Sequence, residues 1–429
     1  MAWDFETDEA FQRELDWADA FVSNEVEPLD FVVGNAWDLS DPVRQRLIPP
    51  LQDRVRKRKL WACHLGPELG GPGYGQLKLA LLNEILGRTQ CGPIVFGCQA
   101  PDSGNAEILA HYGSAELRDR YLGPLIENRI VSSFSMSEPQ GGSDPTGFST
   151  SAVLDGGQWV INGEKWFSSN ARYATFLIVM AVTDPDAEPH RRLSALVVPA
   201  ETPGITILRD VPVLGHEHGE GGHSYVRYQN VRVPADHLLG ERGTGFGVAQ
   251  TRLGGGRIHH AMRTVGLAKR AFDMMCERAV SRTSKGEPLG HKQLVQEMIA
   301  DSWIQLEQFR LLVLRTAWRI DQYNDYRRVR ADIAAVKAAM PKVLMDIAAR
   351  AVQIHGALGV SAEMPLGRWV MESLHMGIAD GATEIHKVSL AQRLLRDYIP
   401  SPGLFPTAHL PALEAQARAR YAVALEATD

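Results

Sequence analysis

Cysteine is scarce in this chain: Cys63, Cys91, Cys98 and Cys276 are the only four in 429 residues. They are too few and too scattered for a disulfide framework or a Cys-x-x-Cys metal site, and they fit a reducing compartment. A long apolar run is missing too. The longest, Ala174 to Val182 interrupted only by Thr175, is about half of the roughly 20 residues that cross a bilayer. No membrane span is expected, and the run reads as a buried strand. Basic excess is also absent. The 45 Lys and Arg against 51 Asp and Glu give a net charge of −6, which offers no cationic field to replace the counterions of a nucleic acid. The N-terminal stretch is acidic and lacks the positive start and apolar core of a secretory signal, so a cytoplasmic location is expected. There is no internal repeat of fixed period and no low-complexity tract.

What is present is ordinary globular material. With 45% hydrophobic and 22% charged residues, wholesale disorder and collagen-like structure are excluded. The length allows about two to four domains of roughly 150 residues. From Asp8 to about Arg129 apolar residues recur at three and four, as in Leu77, Ala80, Leu81 and Ile85, which predicts helices. Pro49-Pro50 and the stretch Gly66 to Gly75 are expected to break them. From Val131 to about Pro234 the runs Trp159 to Ile161, Phe176 to Val182, Leu193 to Val198, Ile205 to Leu208 and Tyr225 to Tyr228 alternate with turn pairs such as Asp155-Gly156 and Asn162-Gly163, a strand pattern. After Gly240 the helical period returns, as at Ile304, Leu306, Phe309, Leu312, Val313, Ala317 and Ile320, and lasts to about Tyr398. The expected fold class is α+β: a helical domain over residues 1–130, a β domain over 131–240, a helical domain over 241–400 and a tail over 401–429. From Leu413 the tail predicts one short helix.

Three segments carry candidate chemistry. Phe134-Ser-Met-Ser-Glu-Pro-Gln-Gly-Gly-Ser-Asp144 has small residues and adjacent glycines that let backbone approach a flat or anionic ligand, with donors at Ser137 and Ser143; an ordinary loop has the same composition. Asn162 to Asn170 places Trp166 and Phe167 beside Ser168 and Ser169, a platform for an aromatic ring system or a core strand with one ring facing inward. Arg252-Leu-Gly-Gly-Gly-Arg257 reads as a helix start, with Arg257 placed to meet a carboxylate or phosphate. Neither Rossmann nor phosphate-loop spacing is present. His216, His218 and His223 lie in a Gly-rich acidic stretch without cysteine and read as a solvated or substrate-lining loop, so no metal is expected. His259 and His260 read as packing residues on two faces of a helix.

Taken together, in order and separation, the segments resemble the acyl-CoA dehydrogenase family from about residue 10 to about 398. Met136-Ser-Glu-Pro-Gln-Gly-Gly-Ser-Asp144 is similar to its (Thr/Ser)-Glu-Pro-x-Ala-Gly-Ser-Asp signature, and Ile161-Asn-Gly-Glu-Lys-Trp-Phe-Ser-Ser-Asn170 to its Ile-Asn-Gly-x-Lys-x-(Trp/Phe)-Ile-(Thr/Ser)-Asn segment. Gln353-Ile-His-Gly-Ala-Leu-Gly359 resembles Gln-x-x-Gly-Gly-x-Gly, and Ala379-Asp-Gly-Ala-Thr-Glu-Ile385 resembles Glu-Gly-Thr-(Ser/Thr)-Glu-Ile. Gly256-Arg-Ile-His-His260 and the Ala-Asp-Gly form at 379–381 give the likeness its tilt toward family members ten and eleven.

The resemblance implies an N-terminal helical domain, a central β domain and a C-terminal four-helix bundle, with FAD between the latter two. It implies that Phe134, Met136, Ser137 and Ser143 hold the flavin ring and the start of the CoA chain. Phe167 would stack near the isoalloxazine, Ser169 would donate toward N5, and Thr383 and Glu384 would complete the cofactor contacts. Arg282, Ser284, Gln353 and Gly356 would reach the adenine and pyrophosphate of FAD in a neighbouring subunit, which implies a homodimer or homotetramer.

The implied reaction is α,β-dehydrogenation of an acyl-CoA to a trans-2-enoyl-CoA, with proton removal from Cα and hydride transfer to flavin N5. Electrons would pass to an electron-transfer flavoprotein. The family usually has Glu just before Gly in the late motif; here Asp380 precedes Gly381, and the family's second location for the base is Gly256. Asp380 is therefore the expected base. Arg257 is expected to orient it or meet the CoA part of the ligand, alongside Gly381 and Ser143 at the substrate. A turn aspartate accepting backbone donors is the alternative role for Asp380. Ala382 stands where a Thr is usual, and Lys285 where a Phe is usual. A flavin monooxygenase on the same fold and a non-catalytic flavoprotein associated with nucleic acid are the competing functions.

Overall fold

The computed structural model describes residues 6–214 and 222–426. Seven α-helical segments precede the sheet: α1 Glu9–Phe21, α2 Pro42–Lys57, α3 Gly75–Leu86, α4 Gly92–Val95, α5 Asp102–Tyr112, α6 Ala115–Leu117 and α7 Gly123–Ile126. Contrary to expectation, Pro49 and Pro50 lie inside α2 rather than ending it. Arg44, Ile48, Gln52 and Val55 form a buried stripe at helical spacing. The carbonyls that lose a donor, those of Gln45 and Arg46, belong to exposed residues, so the missing bonds fall on the solvent side and burial of the stripe decides the outcome. Gly66 to Gly75 does interrupt the helices, since α3 starts at Gly75.

The strands are β1 Ser132–Ser135, β2 Ser151–Asp155, β3 Gln158–Ser169, β4 Phe176–Val182, β5 Leu193–Pro199, β6 Ile205–Asp210, β7 His223–Pro234 and β8 Leu238–Leu239. They form one sheet in the order β6-β7-β3-β2-β4-β5-β8, with β1 also parallel to β4. The run from 176 to 182 is the strand the sequence predicts, buried at every position. Phe176, Ile178, Met180 and Val182 pack on one cluster with Ile108, Leu109, Val248 and Ala249. Leu177, Val179 and Ala181 pack on another with Trp159, Ile161 and Tyr228. Both faces are covered, which is why alternation is lost. The expected turn at Asp155-Gly156 falls one residue later, at Gly156-Gly157 between Asp155 of β2 and Gln158 of β3, but Asn162-Gly163 does not turn the chain. It lies within β3 at a bulge between Ile161 and Gly163, where Gly163 takes φ 146° and the strand bends without ending.

Beyond the sheet, α8 Gly245–Ser281, a short hairpin of β9 Thr283–Ser284 and β10 Glu287–Pro288, α9 Gln293–Tyr323, α10 Arg330–His355, α11 Leu366–Met376 and α12 Thr383–Leu395 follow. The three glycines Gly254 to Gly256 sit in the interior of α8, not at its start, because the buried stripe of Ile258, Met262 and Val265 runs on from Val248 and Ala249. Ile258, Met262, Leu306, Phe309, Met340 and Leu344 share one core with Leu79, Leu82 and Leu86 of α3. The two backbones nearly touch: a Cβ on Gly266 would fall 1.9 Å from the Glu84 carbonyl oxygen. The tail forms two helices rather than one, α13 Leu410–Arg420 and α14 Ala422–Glu426. Pro411 sits in the first turn of α13, where its missing N–H costs nothing. Among the described residues no helix is long and apolar enough to cross a membrane.

Candidate active site

Strand β1 carries Phe134 and runs into the loop 136–144. A buried ion pair fixes that loop. Lys165 of β3 donates from Nζ to Glu138 Oε1 at 2.8 Å and to the Met136 carbonyl at 2.8 Å, and both side chains are fully buried. Glu138 also accepts from the backbone of Ser149 and Thr150. Burial alone would raise its pKa, but the Lys165 charge and these donors outweigh it and bring it to about 2. The Trp166 amide donates to the Ser137 carbonyl at 2.8 Å. A Cβ on Gly142 would meet Ser137 Oγ at 2.9 Å, so a side chain there would turn that hydroxyl aside. Ser143 is exposed on the same loop.

On the opposite wall Asp380 joins α11 to α12 with φ 56°, followed by Gly381 at φ 104°. Arg257 Nε donates to the Asp380 carbonyl at 2.9 Å, and His386 Nε2 lies 3.4 Å from the same oxygen. The carboxylate itself faces α8. Its Oδ2 is 3.6 Å from His260 Nε2, and a Cβ on Gly256 would lie 3.2 Å from it. Burial would raise the Asp380 pKa, but His260, Arg252, Arg257 and Lys337 hold it below the usual carboxylate range, so the group is ionised at neutral pH. Lys337 Nζ donates to the Met376 carbonyl at the end of α11. Thr383 Oγ1 donates to the Gly377 carbonyl at 3.1 Å, which closes the connection, and Glu384 is exposed in the first turn of α12.

The two walls meet through rings and charge. The Phe167 ring lies 5.3 Å from His223, which lies 5.8 Å from His375 of α11. Ser169 Oγ bonds to His223 Nδ1 at 3.0 Å. The Arg252 guanidinium stacks 4.2 Å over Phe134 while its charge acts on Asp380. Phe167 takes φ 57° and leaves 43% of its surface open, and Trp166 Nε1 is buried without a hydrogen-bond partner. Phe134, Phe167 and Ser169 on the sheet side are thus linked to Arg257 and Asp380 on the helical side through Arg252, His223 and His375.

A second constellation lies at the C-terminal ends of α8 and α10. Arg278, Arg282, Ser284, Leu289, Gly356 and Leu358 are among the residues lining a cavity of about 320 Å³. Gln353 stands just before Gly356 and its carbonyl accepts the Gly356 amide. Arg278, which the sequence reading missed, has its Nε buried without a hydrogen-bond partner. Along α8, at roughly 1.5 Å per residue, Arg257 and Arg282 are about 37 Å apart, so the two constellations do not share one ligand within one chain.

Other residues also escaped the sequence reading. Arg252, Gly256 and His260 fall four apart on one face of α8, a spacing hidden by treating the glycines as a helix start. His260 is therefore not a packing residue; it faces Asp380. His259 does pack inward, with Nε2 3.2 Å from Gln76 Oε1. His216 and His218 lie outside the described residues. Ala382, where the family usually has a Thr, is the N-cap of α12 with extended φ −61° and ψ 146° and no side-chain cap. Ala382→Thr is expected to stabilise the protein by about 0.5–2 kcal/mol, read as a raised midpoint in thermal or urea unfolding.

Comparison with known proteins places these features in context. Residues 7–129, 133–231 and 243–395 match the N-terminal, middle and C-terminal domains of acyl-CoA dehydrogenase, respectively. A probable acyl-CoA dehydrogenase of Mycobacterium tuberculosis is 40% identical over 91% of this chain and 92% of that protein. Acyl-CoA dehydrogenase family member 11 of Rattus norvegicus is 38% identical over 82% of this chain, which spans only 45% of that longer protein. A solved structure from Mycobacterium abscessus, assigned to the acyl-CoA dehydrogenases, superposes with a TM-score of 0.85 at 37% identity, covering 92% of this chain and 100% of that one. An FAD complex of PigA has the same fold, with a TM-score of 0.79 at 24% identity over 91% and 99% of the two chains.

Proposed function

The chain belongs to the acyl-CoA dehydrogenase family, and from that premise we propose that it dehydrogenates an acyl-CoA thioester between Cα and Cβ with Asp380 as the base. The observation that carries this reading is the Asp380 carboxylate, ionised, largely shielded and facing the bare backbone of Gly256 and the imidazole of His260 on α8. Its backbone is pinned by Arg257 while its oxygens stay unclaimed by any hydrogen bond among the described residues. A turn aspartate accepting backbone donors would have those oxygens occupied.

The residues present fit FAD. A flat ring system needs an open aromatic face and polar edges, which Phe167, Ser169 and Ser137 offer. A pyrophosphate needs unpaired cations, which Arg278 and Arg282 supply beside the Gly356 backbone. When bound, FAD supplies the two-electron oxidant that accepts hydride from Cβ. Asp380 takes the α-proton, and the α8 face shields it from bulk water. Arg257 keeps the peptide before Gly381 in its left-handed turn, so the carboxylate approaches from one side only. The separation of the two constellations along α8 supports a homodimer or homotetramer in which a second copy completes the FAD site. An electron-transfer flavoprotein is the electron acceptor this reading assigns, in keeping with membership of the acyl-CoA dehydrogenase family.

Anaerobic addition of a panel of acyl-CoAs to the purified flavoprotein is expected to bleach the flavin absorbance with at least one of them and to release the 2-enoyl-CoA. Bound flavin that no acyl-CoA reduces would refute the proposed reaction.

A further inference from the structure

Asp is one methylene shorter than Glu, and at φ 56° its side chain must be aimed by a neighbour to reach a substrate carbon reproducibly. Arg257 grips the other end of the residue: its Nε donates to the Asp380 carbonyl, and no hydrogen bond joins its guanidinium to the carboxylate. The side chain that faces the carboxylate is His260, one helical turn beyond Gly256 on the same face of α8. With no side chain at position 256 between them, Nε2 and Oδ2 lie 3.6 Å apart, and both groups are largely shielded, 26% and 20% exposed. Less than about 1 Å of movement brings them to hydrogen-bond length. We propose that His260 is the positioning residue of the base: its neutral imidazole donates from Nε2 to Asp380 Oδ2 and leaves Oδ1 to face the substrate's Cα. This inference rests on the reading of Asp380 as base and adds to it the group that orients that base.

A carboxylate only accepts, so the neighbour must be a donor, and a neutral donor orients the base without quenching its charge in an ion pair. The surroundings of His260 enforce neutrality. Burial is the main cause, bringing its pKa to about 4. Arg263 of α8, His375 of α11 and Lys337 of α10 oppose a further positive charge, and Asp380 alone favours it. Arg252 and Arg257, also on α8, bear on the carboxylate. The tautomer with hydrogen on Nε2 is the one that matches an ionised Asp380.

The test uses holoenzyme labelled with ¹⁵N in the imidazole rings, with His260→Gln identifying the resonance. The expected signal is a neutral imidazole protonated at Nε2, unchanged through neutral pH and displaced by Asp380→Asn. A resonance protonated at Nδ1, or one that titrates near 6.5 and ignores Asp380→Asn, overturns the contact. In stopped flow, His260→Ala is expected to slow the limiting rate of flavin reduction about 10- to 100-fold, with the half-saturating acyl-CoA concentration little changed. Losing a donor to the carboxylate raises its pKa, so the acid limb of the rate profile moves to higher pH. His260→Gln, whose amide offers an N–H at similar reach, is expected to recover most of the rate. Full activity in His260→Ala beside an inactive Asp380→Asn overturns the role of His260 and leaves the base intact. Full activity in Asp380→Asn overturns the base itself, and with it the proposed positioning.

Discussion

Asp380→Asn is expected to lower the limiting rate of flavin reduction by acyl-CoA roughly 100- to 10,000-fold, the span a removed general base commonly costs. The folded structure should survive the change. Asparagine tolerates the left-handed φ 56° that Asp380 adopts, and the bonds that hold this turn, from Arg257 and His386, go to the backbone carbonyl rather than the side chain. Flavin content and unfolding midpoint are therefore expected to stay near the parent values, separating a catalytic defect from a structural one. The geometry offers a rescue as well. A Cβ at Gly256 points at Asp380 Oδ2 from 3.2 Å, so the two positions address the same volume. In Asp380→Gly that volume is vacated and the positive φ is relaxed. Adding Gly256→Glu then brings a carboxylate in from α8 and is expected to recover part of the lost rate. If Asp380→Asn reduces flavin at the parent rate, another group removes the proton.

The sequence disclosed the layered architecture because its periods differ so sharply. Leu77, Ala80, Leu81 and Ile85 repeat at helical spacing, whereas Phe176 to Val182 is apolar throughout, and its seven-residue length favours a buried strand over a helix. It disclosed less where tertiary contact overrides local chemistry. Pro49 and Pro50 read as a break, yet the stripe Arg44, Ile48, Gln52 and Val55 carries α2 through them. Asn162-Gly163 reads as a turn, yet pairing with β7 on both sides keeps it in a strand. At the site, Asp380 and Phe167 could be singled out by motif. The link between their two elements runs through His223 and His375, which come from different layers. The glycines before Arg257 concealed the face of α8, and with it His260. Arg278 carried no local signal, since only the packed ends of α8 and α10 leave its Nε without a partner.

Lys165→Met is expected to destabilise the protein by about 3–5 kcal/mol, because it strands a buried carboxylate. The partners share the cost of burial unequally. Glu138 keeps donors from Ser149, Thr150 and Gln140 in addition to Lys165, whereas Lys165 has Glu138 as its anion, the Met136 carbonyl and the face of Phe148, and burial draws its pKa down to about 8. Stability should consequently follow the acid side of the pair. The folded Glu138 pKa of about 2 is below its ordinary 4.5, so its contribution is fully present above pH 4.5 and is lost as pH falls toward 2. Urea unfolding across that window should show a shallower loss in Glu138→Gln than in the parent, since the pKa values of other carboxylates such as Asp380 are lowered too. In the double variant Glu138→Gln, Lys165→Met no ion is left unpaired, so its cost should be smaller than that of Lys165→Met alone, a coupling read from the mutant cycle. The defect should also reach the cofactor. Lys165 is the group that ties the Met136 carbonyl, and so the ligand loop, to the strand bearing Phe167. Lys165→Met should therefore lose bound flavin on gel filtration even at temperatures where it remains folded. Retention of flavin by a folded but destabilised Lys165→Met protein would separate the loop's shape from the pair that now accounts for it.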